Sequence, residues 1–190
     1  MTSYLKEKNK TKCILASILT DFAPHDQWLV GNEFIDYFFV AHEEMKYQLI
    51  DYGIPSSKVF ATGIPVSSRF LRTYDKHEIF NFFKLNPNKK LILFFGGGEF
   101  GLGKERTINI FKYLCQNTDK YQIVAISGKN QKMKNSFENF VTEKNANDIK
   151  IFEYTDKIPE LMHISSLVIT KPGGLTSSES LASRSTYYSY

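Results

Sequence analysis

Hydrophobic residues in this chain form short runs that alternate with polar, helix-like segments. Seven runs are rich in β-branched and aromatic residues: CILASILTDF, YFFVAH, KVFATGIPV, LILFFGGG, YQIVAISG, IKIFEYT and SLVITKPGG. Most of them are continuously apolar rather than alternating, which is typical of strands buried on both faces of a parallel sheet. The pattern therefore predicts a doubly wound α/β fold.

Helical signals lie between these runs. The segment HEEMKYQLIDYG predicts a helix that ends at Gly53, since glycine favours the end of a helix. Asp75 and Glu78 have the spacing of a capping box and predict the start of a short amphipathic helix. The segment ERTINIFKYLCQN predicts a further helix because it carries apolar residues at helical spacing, namely Ile108, Phe111 and Leu114.

A domain boundary is predicted near Val66. The segment 62–90 contains no strand-like run, whereas strand-like runs precede and follow it. We assign residues 1–66 to the C-terminal part of one domain and residues 67–190 to a second domain.

Both ends of the sequence predict incomplete domains. Only three strand-like runs precede the boundary, which is few for a stable sheet. Near the other end, SSESLA predicts the start of a helix, but the following SRSTYYSY has no apolar periodicity and predicts no further strand. We therefore expect the chain to be a fragment that lacks part of each domain.

Composition narrows the class of protein. The chain is 42% hydrophobic and 23% charged, with 16 Phe and 11 Tyr, as in a globular protein with a bulky core. A formal charge of +4 permits attraction to phosphates or lipid headgroups, but no dense basic motif predicts nucleic-acid binding. Cys13 and Cys115 have no metal-ligand spacing, and we predict that both are buried free thiols. The longest apolar run is too short to span a bilayer.

The glycine-rich stretch 91–105, LILFFGGGEFGLGKE, partly matches two phosphate-binding signatures. Residues 98–104 read GxxxxGK, the start of a P-loop, but Glu105 stands where the hydroxyl residue that binds Mg²⁺ belongs. Residues 96–101 read GxGxxG after an apolar strand, as in a dinucleotide fingerprint. The acidic residue near the required spacing, Asp119, lies in a predicted turn. Neither signature is decisive alone.

A second glycine motif follows the last apolar run. The predicted strand ends at Thr170, Gly173 and Gly174 predict a tight turn, and a helix is predicted to begin near Thr176. Backbone N–H groups at such a helix start favour phosphate. A simple capping box between Thr176 and Glu179 is the alternative. Because both glycine motifs follow strands, where open α/β sheets bind ligands, the pair favours an anion site.

The first apolar run leads into LTDFAPHDQW, which contains Thr20, Asp21, His25 and Trp28. A histidine near an aspartate is suited to proton transfer or to holding a sugar hydroxyl. A loop held by an Asx turn beside a half-buried tryptophan is the structural alternative.

Metal chemistry is not expected. The segments beginning at His42 and His77 start like zinc-binding HExxH helices, but Lys46 and Asn81 occupy the second ligand position. No DxD pair is present to hold a metal-bound sugar diphosphate. A bound diphosphate would therefore have to be neutralised by backbone dipoles and cationic side chains, and we expect no metal and no cofactor.

Five motifs in order, TDFAPHDQW, TGIPV, LILFFGGGEFGLGK, ISGKNQKM and ITKPGGLTSSESLA, resemble the diacylglycerol glycosyltransferases. This is the family of monogalactosyldiacylglycerol synthase and the bacterial processive glucosyltransferases, with a more distant similarity to the N-acetylglucosaminyltransferase of peptidoglycan lipid synthesis. The resemblance covers residues 12 to 182. It implies the GT-B fold, with two Rossmann-like domains of which the acceptor-binding domain comes first and the UDP-sugar domain second.

The resemblance also implies roles for individual residues. Backbone N–H groups in the second glycine motif would hold the diphosphate, Glu179 would accept hydrogen bonds from the ribose, and the loop from Tyr154 to Ile158 would line the uracil pocket. Asp21 and His25 match the acceptor-domain motif and are the catalytic candidates, although the general base is not identified. The implied donor-binding residues are Gly96, Gly97, Gly98, Glu99, Gly101, Lys129, Asn130, Tyr154, Ile158, Gly173, Gly174, Leu175, Thr176 and Glu179.

The implied reaction is inverting transfer of a hexose from UDP-glucose or UDP-galactose, a co-substrate rather than a cofactor, to diacylglycerol or a glycosyl diacylglycerol. The implied location is the cytoplasmic face of the membrane, as a peripheral protein at an anionic lipid surface. Family members carry another glycine-rich loop before the matched region, so we expect the chain alone to be inactive or poorly folded.

Three other interpretations stay open. In the first, the enzyme transfers N-acetylglucosamine from UDP-N-acetylglucosamine to a polyprenyl-linked sugar. In the second, the chain is a noncatalytic UDP-sugar-binding subunit that needs a partner chain. In the third, the glycine-rich stretch is a P-loop and the protein an ATPase.

Overall fold

Parallel β-strands form two separate sheets in the computed structural model of the chain. The structure describes residues 2–96, 103–144, 146, 148–184 and 187–189. The chain divides into two units, Met1–Pro65 and Val66–Tyr190, called unit 1 and unit 2 below. Unit 1 contains α1 (Thr2–Glu7), β1 (Ala16–Ile18), β2 (Tyr37–Val40), α2 (Glu43–Asp51) and β3 (Val59–Ala61). Unit 2 contains α3 (Lys76–Phe83), β4 (Lys90–Phe95), α4 (Lys104–Leu114), β5 (Tyr121–Ile126), α5 (Gln131–Lys144), β6 (Ile149–Phe152), α6 (Ile158–Ile164), β7 (Leu167–Thr170), α7 (Gly174–Ala182) and β8 (Tyr187–Ser189).

The predicted α/β fold with parallel sheets is confirmed. Each of the seven apolar runs contains one strand, and every strand pair among the described residues is parallel. The strand order is β1-β2-β3 in unit 1 and β6-β5-β4-β7-β8 in unit 2. An α-helix connects β2 to β3 and each successive strand pair of unit 2, because parallel neighbours need a crossover, whereas β1 and β2 are connected by two 3₁₀ turns, Asp26–Leu29 and Asn32–Phe34.

The prediction that no strand follows the last helix is wrong. Residues Tyr187–Ser189 form β8, which pairs in parallel with β7 through Val168↔Tyr187 and Thr170↔Ser189. A strand of three residues is too short to show periodicity, and its place at the sheet edge means that it pairs on one side only. The sequence pattern therefore carried no signal for it.

The sheet of unit 2 is covered on both faces, as the continuous apolar runs predict. Side chains of β4 alternate between two core clusters: Leu91 and Leu93 pack with helices α3 and α6, while Ile92 and Phe94 pack with helices α4 and α5. All four side chains are buried. Unit 2 thus has the three-layer arrangement of a doubly wound domain.

Among the described residues, helices cover one face of the unit 1 sheet and leave the other exposed, so the prediction of burial on both faces is wrong there. Met45 and Leu49 of α2 are fully buried against Phe38 and Val40 of β2. On the opposite face, Ile18 of β1 and its neighbours are exposed. Alternation within three- and four-residue strands was not visible in the sequence because both faces carry apolar residues.

Helix ends follow the sequence signals. The carboxylate of Asp75 accepts hydrogen bonds from the backbone N–H groups of His77 and Glu78, at 2.7 and 3.2 Å, which confirms it as the cap of α3. Gly53 follows α2 with φ +90°, a conformation that glycine adopts without strain. The His42 ring caps the other end of α2 by accepting the Met45 N–H.

The two cysteines differ in environment. Cys115 lies half-buried after α4, and burial raises the pKa of its thiol to about 12. Cys13 is exposed, so the prediction that it is buried is wrong: β1 begins three residues later, at Ala16, and Cys13 lies outside the sheet. Both thiols are free.

The described part of the chain contains no helix that combines the length and the apolar character needed to cross a membrane.

Gly96 directly follows β4 and lies against a stack of aromatic rings. Its N–H donates to the Ile126 carbonyl, which extends the β4–β5 ladder by one residue. A Cβ atom at this position would lie 2.5 and 2.7 Å from two ring carbons of Phe137. The Phe137 ring is itself stacked on Phe111 at a centroid distance of 4.1 Å and cannot easily retreat. Close packing therefore requires glycine here.

We expect Gly96→Ala to lower the free energy of unfolding by about 1–3 kcal/mol, because the added methyl group overpacks a filled core. Urea denaturation followed by circular dichroism measures the change. Gly173→Ala is the matched control, since nothing lies within 4 Å of the position that an alanine Cβ would take there, and a φ of −121° suits alanine. Equal destabilisation by the two substitutions would contradict the packing explanation.

Candidate functional site

The donor-binding residues implied by sequence follow four neighbouring strands of unit 2. Gly96 follows β4, Lys129 and Asn130 follow β5, Tyr154 follows β6, and the second glycine motif follows β7. The strand order β6-β5-β4-β7 and the parallel pairing put all four strand ends at one edge of the sheet. This carboxyl edge is where open α/β sheets bind ligands.

The start of α7 differs from the prediction. Gly173 is extended, with φ −121° and ψ 138°, and α7 begins at Gly174, two residues before the predicted start. The Gly173 carbonyl accepts the Ser177 N–H at 3.0 Å. Thr176 is therefore inside the first helical turn and does not cap it, so the capping-box alternative for Thr176 and Glu179 is wrong.

This helix start leaves backbone donors available at the carboxyl edge. The N–H groups of Gly174, Leu175 and Thr176 belong to the first turn, where no carbonyl of the same helix can accept them. They point out of the helix along its positive end, which favours a negative charge. The turn can thus hold one phosphate group of a ligand by backbone hydrogen bonds.

Glu179 lies one turn further along α7. Its side chain is half-buried, and the part of the chain that the structure describes offers it no hydrogen bond or ion pair. Burial raises the pKa of the Glu179 carboxyl above its ordinary value. A half-buried carboxylate without a partner is an acceptor for a ligand hydroxyl, and a cation is not required for that role.

The glycine-rich loop can be placed only in part. Gly96 is fixed by its hydrogen bond to β5 and by the aromatic stack beneath it. Because β4 pairs with β7, this residue lies beside the strand that leads into α7. Gly97, Gly98, Glu99 and Gly101 lie outside the described residues.

Lys129 and Asn130 have different environments. The Asn130 side chain accepts the Met133 N–H at 3.0 Å, and its carbonyl accepts the Lys134 N–H, so this residue holds the start of α5. Lys129 is exposed and follows Gly128, whose φ of +64° turns the chain away from β5. Lys129 is therefore able to contact an anionic ligand with its ammonium group, whereas the oxygens of Asn130 are used as acceptors at the start of α5.

The loop before α6 is held in place from outside. Arg69 donates to the Asp156 carbonyl at 2.8 Å and pairs with Glu160 at 3.3 Å. The side chain of Tyr154 projects into solvent and has 78% of its surface exposed, whereas the side chain of Ile158 packs against the core beneath the loop. Exposed aromatic surface at this edge is available for stacking with a planar ring.

Helices α6 and α7 lie side by side, which joins this loop to the helix start. The hydroxyl groups of Ser180 and Ser183 each lie 3.9 Å from the Met162 sulfur. Both helices start at the carboxyl edge, so Ile158 and Gly174 open neighbouring helices.

Unit 1 places the remaining candidates, Asp21 and His25, in the loop after β1. Asp21 is exposed. The His25 Nδ1 accepts the Gln27 N–H at 3.2 Å and caps a short 3₁₀ turn, and Trp28 is half-buried nearby, as in the structural alternative. The neutral ring therefore carries its proton on Nε2. The loop is held by this histidine cap, so the Asx-turn alternative is not the arrangement found.

Sequence reasoning missed residues that position these loops. His42 accepts the Met45 N–H through Nδ1, so its Nε2–H donates to the Phe22 carbonyl at 3.0 Å and ties the Asp21 loop to α2. The position of His42 just before a predicted helix indicated a cap, but the segment was interpreted only for its similarity to a zinc-binding HExxH helix. Arg69 had no signal, because its partners lie 87 and 91 residues further along.

Lys171 was also missed as a candidate cation. It stands between β7 and Gly173, so it lies at the carboxyl edge beside the start of α7. Its position between a strand end and a glycine pair was visible in the sequence. Among the described residues, no group of three or more His, Cys, Asp or Glu side chains is arranged to hold a metal ion.

Two family models match the chain. Residues 1–66 match the monogalactosyldiacylglycerol (MGDG) synthase model, and residues 91–185 match the glycosyltransferase family 28 C-terminal domain. Among curated proteins, the processive diacylglycerol beta-glucosyltransferases of Bacillus cereus (strain AH187) and Bacillus thuringiensis (strain Al Hakam) are each 34% identical over 181 residues. The match covers 94% of this chain and 44% of those relatives, so the chain spans less than half of their length.

Solved structures share the fold. The S. aureus MnaA–UDP co-structure has a TM-score of 0.73 at 16% identity, covering 97% of this chain and 52% of that one. Anabaena HepE in complex with UDP and glucose has a TM-score of 0.65 at 15% identity, covering 98% and 54%. At such identities the likeness establishes the fold alone, and it agrees with the predicted GT-B type.

The environment of Glu179 predicts a pH-dependent stability. Because burial raises the folded-state pKa of Glu179, the stability linked to this carboxyl is fully present below the ordinary pKa of a glutamate and is lost as the pH rises through the folded-state pKa. We expect Glu179→Gln to raise the Tm at pH 7 and to leave it unchanged near pH 4. Thermal unfolding across this range measures both, with exposed Glu153→Gln as the control. A lower Tm for Glu179→Gln at pH 7 would contradict the burial effect.

Proposed function

This chain belongs to the glycosyltransferases with a monogalactosyldiacylglycerol synthase domain and a family 28 C-terminal domain, and we propose that it acts in inverting hexose transfer from a UDP-sugar to diacylglycerol. The product would be a glycosyl diacylglycerol membrane lipid. The observation that carries the proposal is the start of α7, whose first-turn N–H groups lie one turn from a carboxylate that has no partner among the described residues.

In the proposed complex, unit 2 holds the donor. The N–H groups of Gly174, Leu175 and Thr176 donate hydrogen bonds to the diphosphate, with Lys171 and Lys129 as neighbouring cations. Glu179 accepts hydrogen bonds from ribose hydroxyls, and the loop from Tyr154 to Ile158 contacts uracil. The donor is UDP-glucose or UDP-galactose. UDP-bound proteins among the structural neighbours support the nucleotide class.

The proposed reaction is a single displacement. An oxygen lone pair of the acceptor hydroxyl forms the new bond to the anomeric carbon while the bond from that carbon to the UDP oxygen breaks, which inverts the configuration. The hydroxyl proton passes to a base, and UDP leaves with the bonding electrons. Most of the lowering of the activation barrier must then come from stabilising the negative charge on the departing diphosphate. The backbone dipoles in the first turn of α7 are suited to this stabilisation.

Asp21 and His25 of unit 1 are proposed to hold the acceptor hydroxyl. His25 uses Nδ1 for its cap, so it presents Nε2–H as a donor and is not the base in this tautomer. The exposed carboxylate of Asp21 is able to accept a proton or a hydrogen bond. Through its bond to the Phe22 carbonyl, His42 keeps the Asp21 loop in place.

A lipid acceptor requires that the protein contact a membrane. We propose peripheral attachment at the cytoplasmic face, with diacylglycerol or glycosyl diacylglycerol as acceptor, which the names of the Bacillus relatives support. Unit 2 carries 18 basic and 12 acidic residues, whereas unit 1 carries six and eight. Attraction to an anionic surface therefore arises mainly from unit 2, apart from the lysines between residues 6 and 12.

UDP binding tests the donor site directly. We expect calorimetric titration to detect UDP and UDP-glucose but not ATP, and we expect Glu179→Ala to weaken UDP binding about tenfold or more, since a hydrogen bond to a charged group contributes roughly 1.5–3 kcal/mol. Glu153→Ala is the control. Mg²⁺-dependent ATP binding without UDP binding would favour the P-loop interpretation and would overturn the proposal.

The acceptor role of Asp21 is tested separately. In the chain joined to the additional length that the Bacillus relatives carry, we expect Asp21→Asn to reduce hexose transfer to diacylglycerol in vesicles about a hundredfold, because general-base assistance is worth roughly 10²–10⁴-fold. UDP affinity should stay unchanged, since Asp21 is not assigned to the donor. Anionic vesicles should support faster transfer than neutral vesicles, and added salt should remove the difference. Loss of UDP binding in Asp21→Asn would contradict the assignment.

A further inference from the structure

The segment that opens unit 2 packs against both helices of the candidate site. A 3₁₀ turn, Ser68–Leu71, lies just after the start of unit 2 and contacts α6 and α7. Phe70 of this turn is buried in the same core cluster as α6. The Ser67 hydroxyl caps the turn by accepting the Arg69 N–H at 3.3 Å. The backbone that carries Arg69 is therefore held by packing and by a cap.

Arg69 binds the loop before α6 at two points. Its guanidinium donates to the Asp156 carbonyl at 2.8 Å and pairs with the Glu160 carboxylate at 3.3 Å. The Glu160 side chain is only 13% exposed, so the carboxylate of this pair is largely shielded from water. The Tyr74 hydroxyl donates to the Arg69 carbonyl at 2.8 Å. The two contacts of the guanidinium lie on either side of Ile158, where the loop becomes helix.

One peptide group of this loop is held at both ends. The carbonyl of the peptide group between Asp156 and Lys157 accepts the Arg69 guanidinium. Its N–H donates to the Thr155 hydroxyl at 3.2 Å. The Lys157 ammonium lies 4.9 Å from the centre of the Phe82 ring, which supports the loop from another helix, α3. The direction of the peptide group thus depends on a residue that lies 87 positions earlier in the chain.

A fixed backbone matters for the choice of nucleobase. In the proposed complex, the loop from Tyr154 to Ile158 contacts uracil. Uracil offers an acceptor at O4 and a donor at N3, whereas cytosine offers an amino donor and a nitrogen acceptor at the same positions. Protein groups fixed to match one of these patterns are left unpaired by the other, which disfavours the wrong base. A loop that could reorient would adapt to either base.

We propose that Arg69 is a positioning residue for nucleobase selectivity. By holding the Asp156 carbonyl and Glu160, it keeps the loop in the conformation that accepts uracil and disfavours cytosine. Arg69 acts through the loop and is not required to contact the nucleotide. The inference rests on the proposed function, since it takes the donor to be a UDP-sugar bound at this edge.

Calorimetric titration of the 190-residue chain with UDP and with CDP tests this role. We expect the wild-type chain to bind UDP about tenfold more tightly than CDP. Arg69→Gln removes the charge that pairs with Glu160 and the planar fork that reaches two partners. We expect it to weaken UDP binding about tenfold, as for the loss of one hydrogen bond, and to leave CDP binding unchanged, so that the selectivity is lost.

Hydrogen exchange in the free chain provides a second measurement. Amides of residues 155–161 should exchange faster in Arg69→Gln, whereas those of β5 should not change, because only the loop is released. Arg72→Gln is the matched control: Arg72 is exposed on the same segment and, in the part of the chain that the structure describes, its guanidinium forms no ion pair. Arg69→Lys replaces Arg69→Gln if the latter does not fold by circular dichroism, and we expect the same loss of selectivity because an ammonium group lacks the fork.

The outcomes separate this inference from the proposed function. If the wild-type chain binds UDP and Arg69→Gln keeps both the affinity and the selectivity, the inference is overturned and the proposed function stands. Equal weakening of UDP and CDP binding would also overturn the inference, since a general loss of structure would then be the cause, and so would an equal effect of Arg72→Gln. A folded wild-type chain that does not bind UDP would overturn both.

Discussion

The pairing of β4 with β7 is the constraint on which the candidate site depends. These strands are separated by more than 70 residues, and their parallel register, Phe94 against Ile169, places the loop after β4 beside the start of α7. Beneath this loop, Gly96 packs against the stacked rings of Phe137 and Phe111, where only glycine fits. The ligand surface above the sheet is thus fixed by apolar packing beneath it.

The site itself is arranged at some cost to the free protein. Within the part of the chain that the structure describes, the half-buried Glu179 carboxyl has no partner and no carbonyl of α7 accepts the first N–H groups of that helix. Both arrangements are unfavourable in the absence of a ligand. Two groups that bind different ligand chemistry therefore lie one turn apart on α7. The Glu179 carboxylate accepts hydrogen bonds from hydroxyl groups, and the N–H groups of the first turn bind an anion. A phosphorylated sugar nucleotide offers both kinds of group in one molecule.

Strong local patterns made the strands of unit 2 and several helix ends predictable from sequence. Continuous apolar runs identified β4, β5 and β7, and Asp75 and Gly53 marked helix ends, since each acts through its immediate neighbours. The predicted start of α7 was wrong because Gly173 is extended rather than turned. The contacts of Arg69 could not be predicted, since they join residues far apart in the chain. The exposed face of unit 1 was hidden because its strands are apolar on both sides.

The unequal environments of the two cysteines have a practical consequence. A thiol with a pKa of about 12 is protonated at neutral pH and reacts slowly with maleimides or disulfides, whereas an exposed thiol is accessible to them. Since the chain contains two cysteines in all, Cys13 offers one selective attachment point in unit 1. A fluorophore or spin label placed there would report on unit 1 in the unmutated protein, without removal of Cys115.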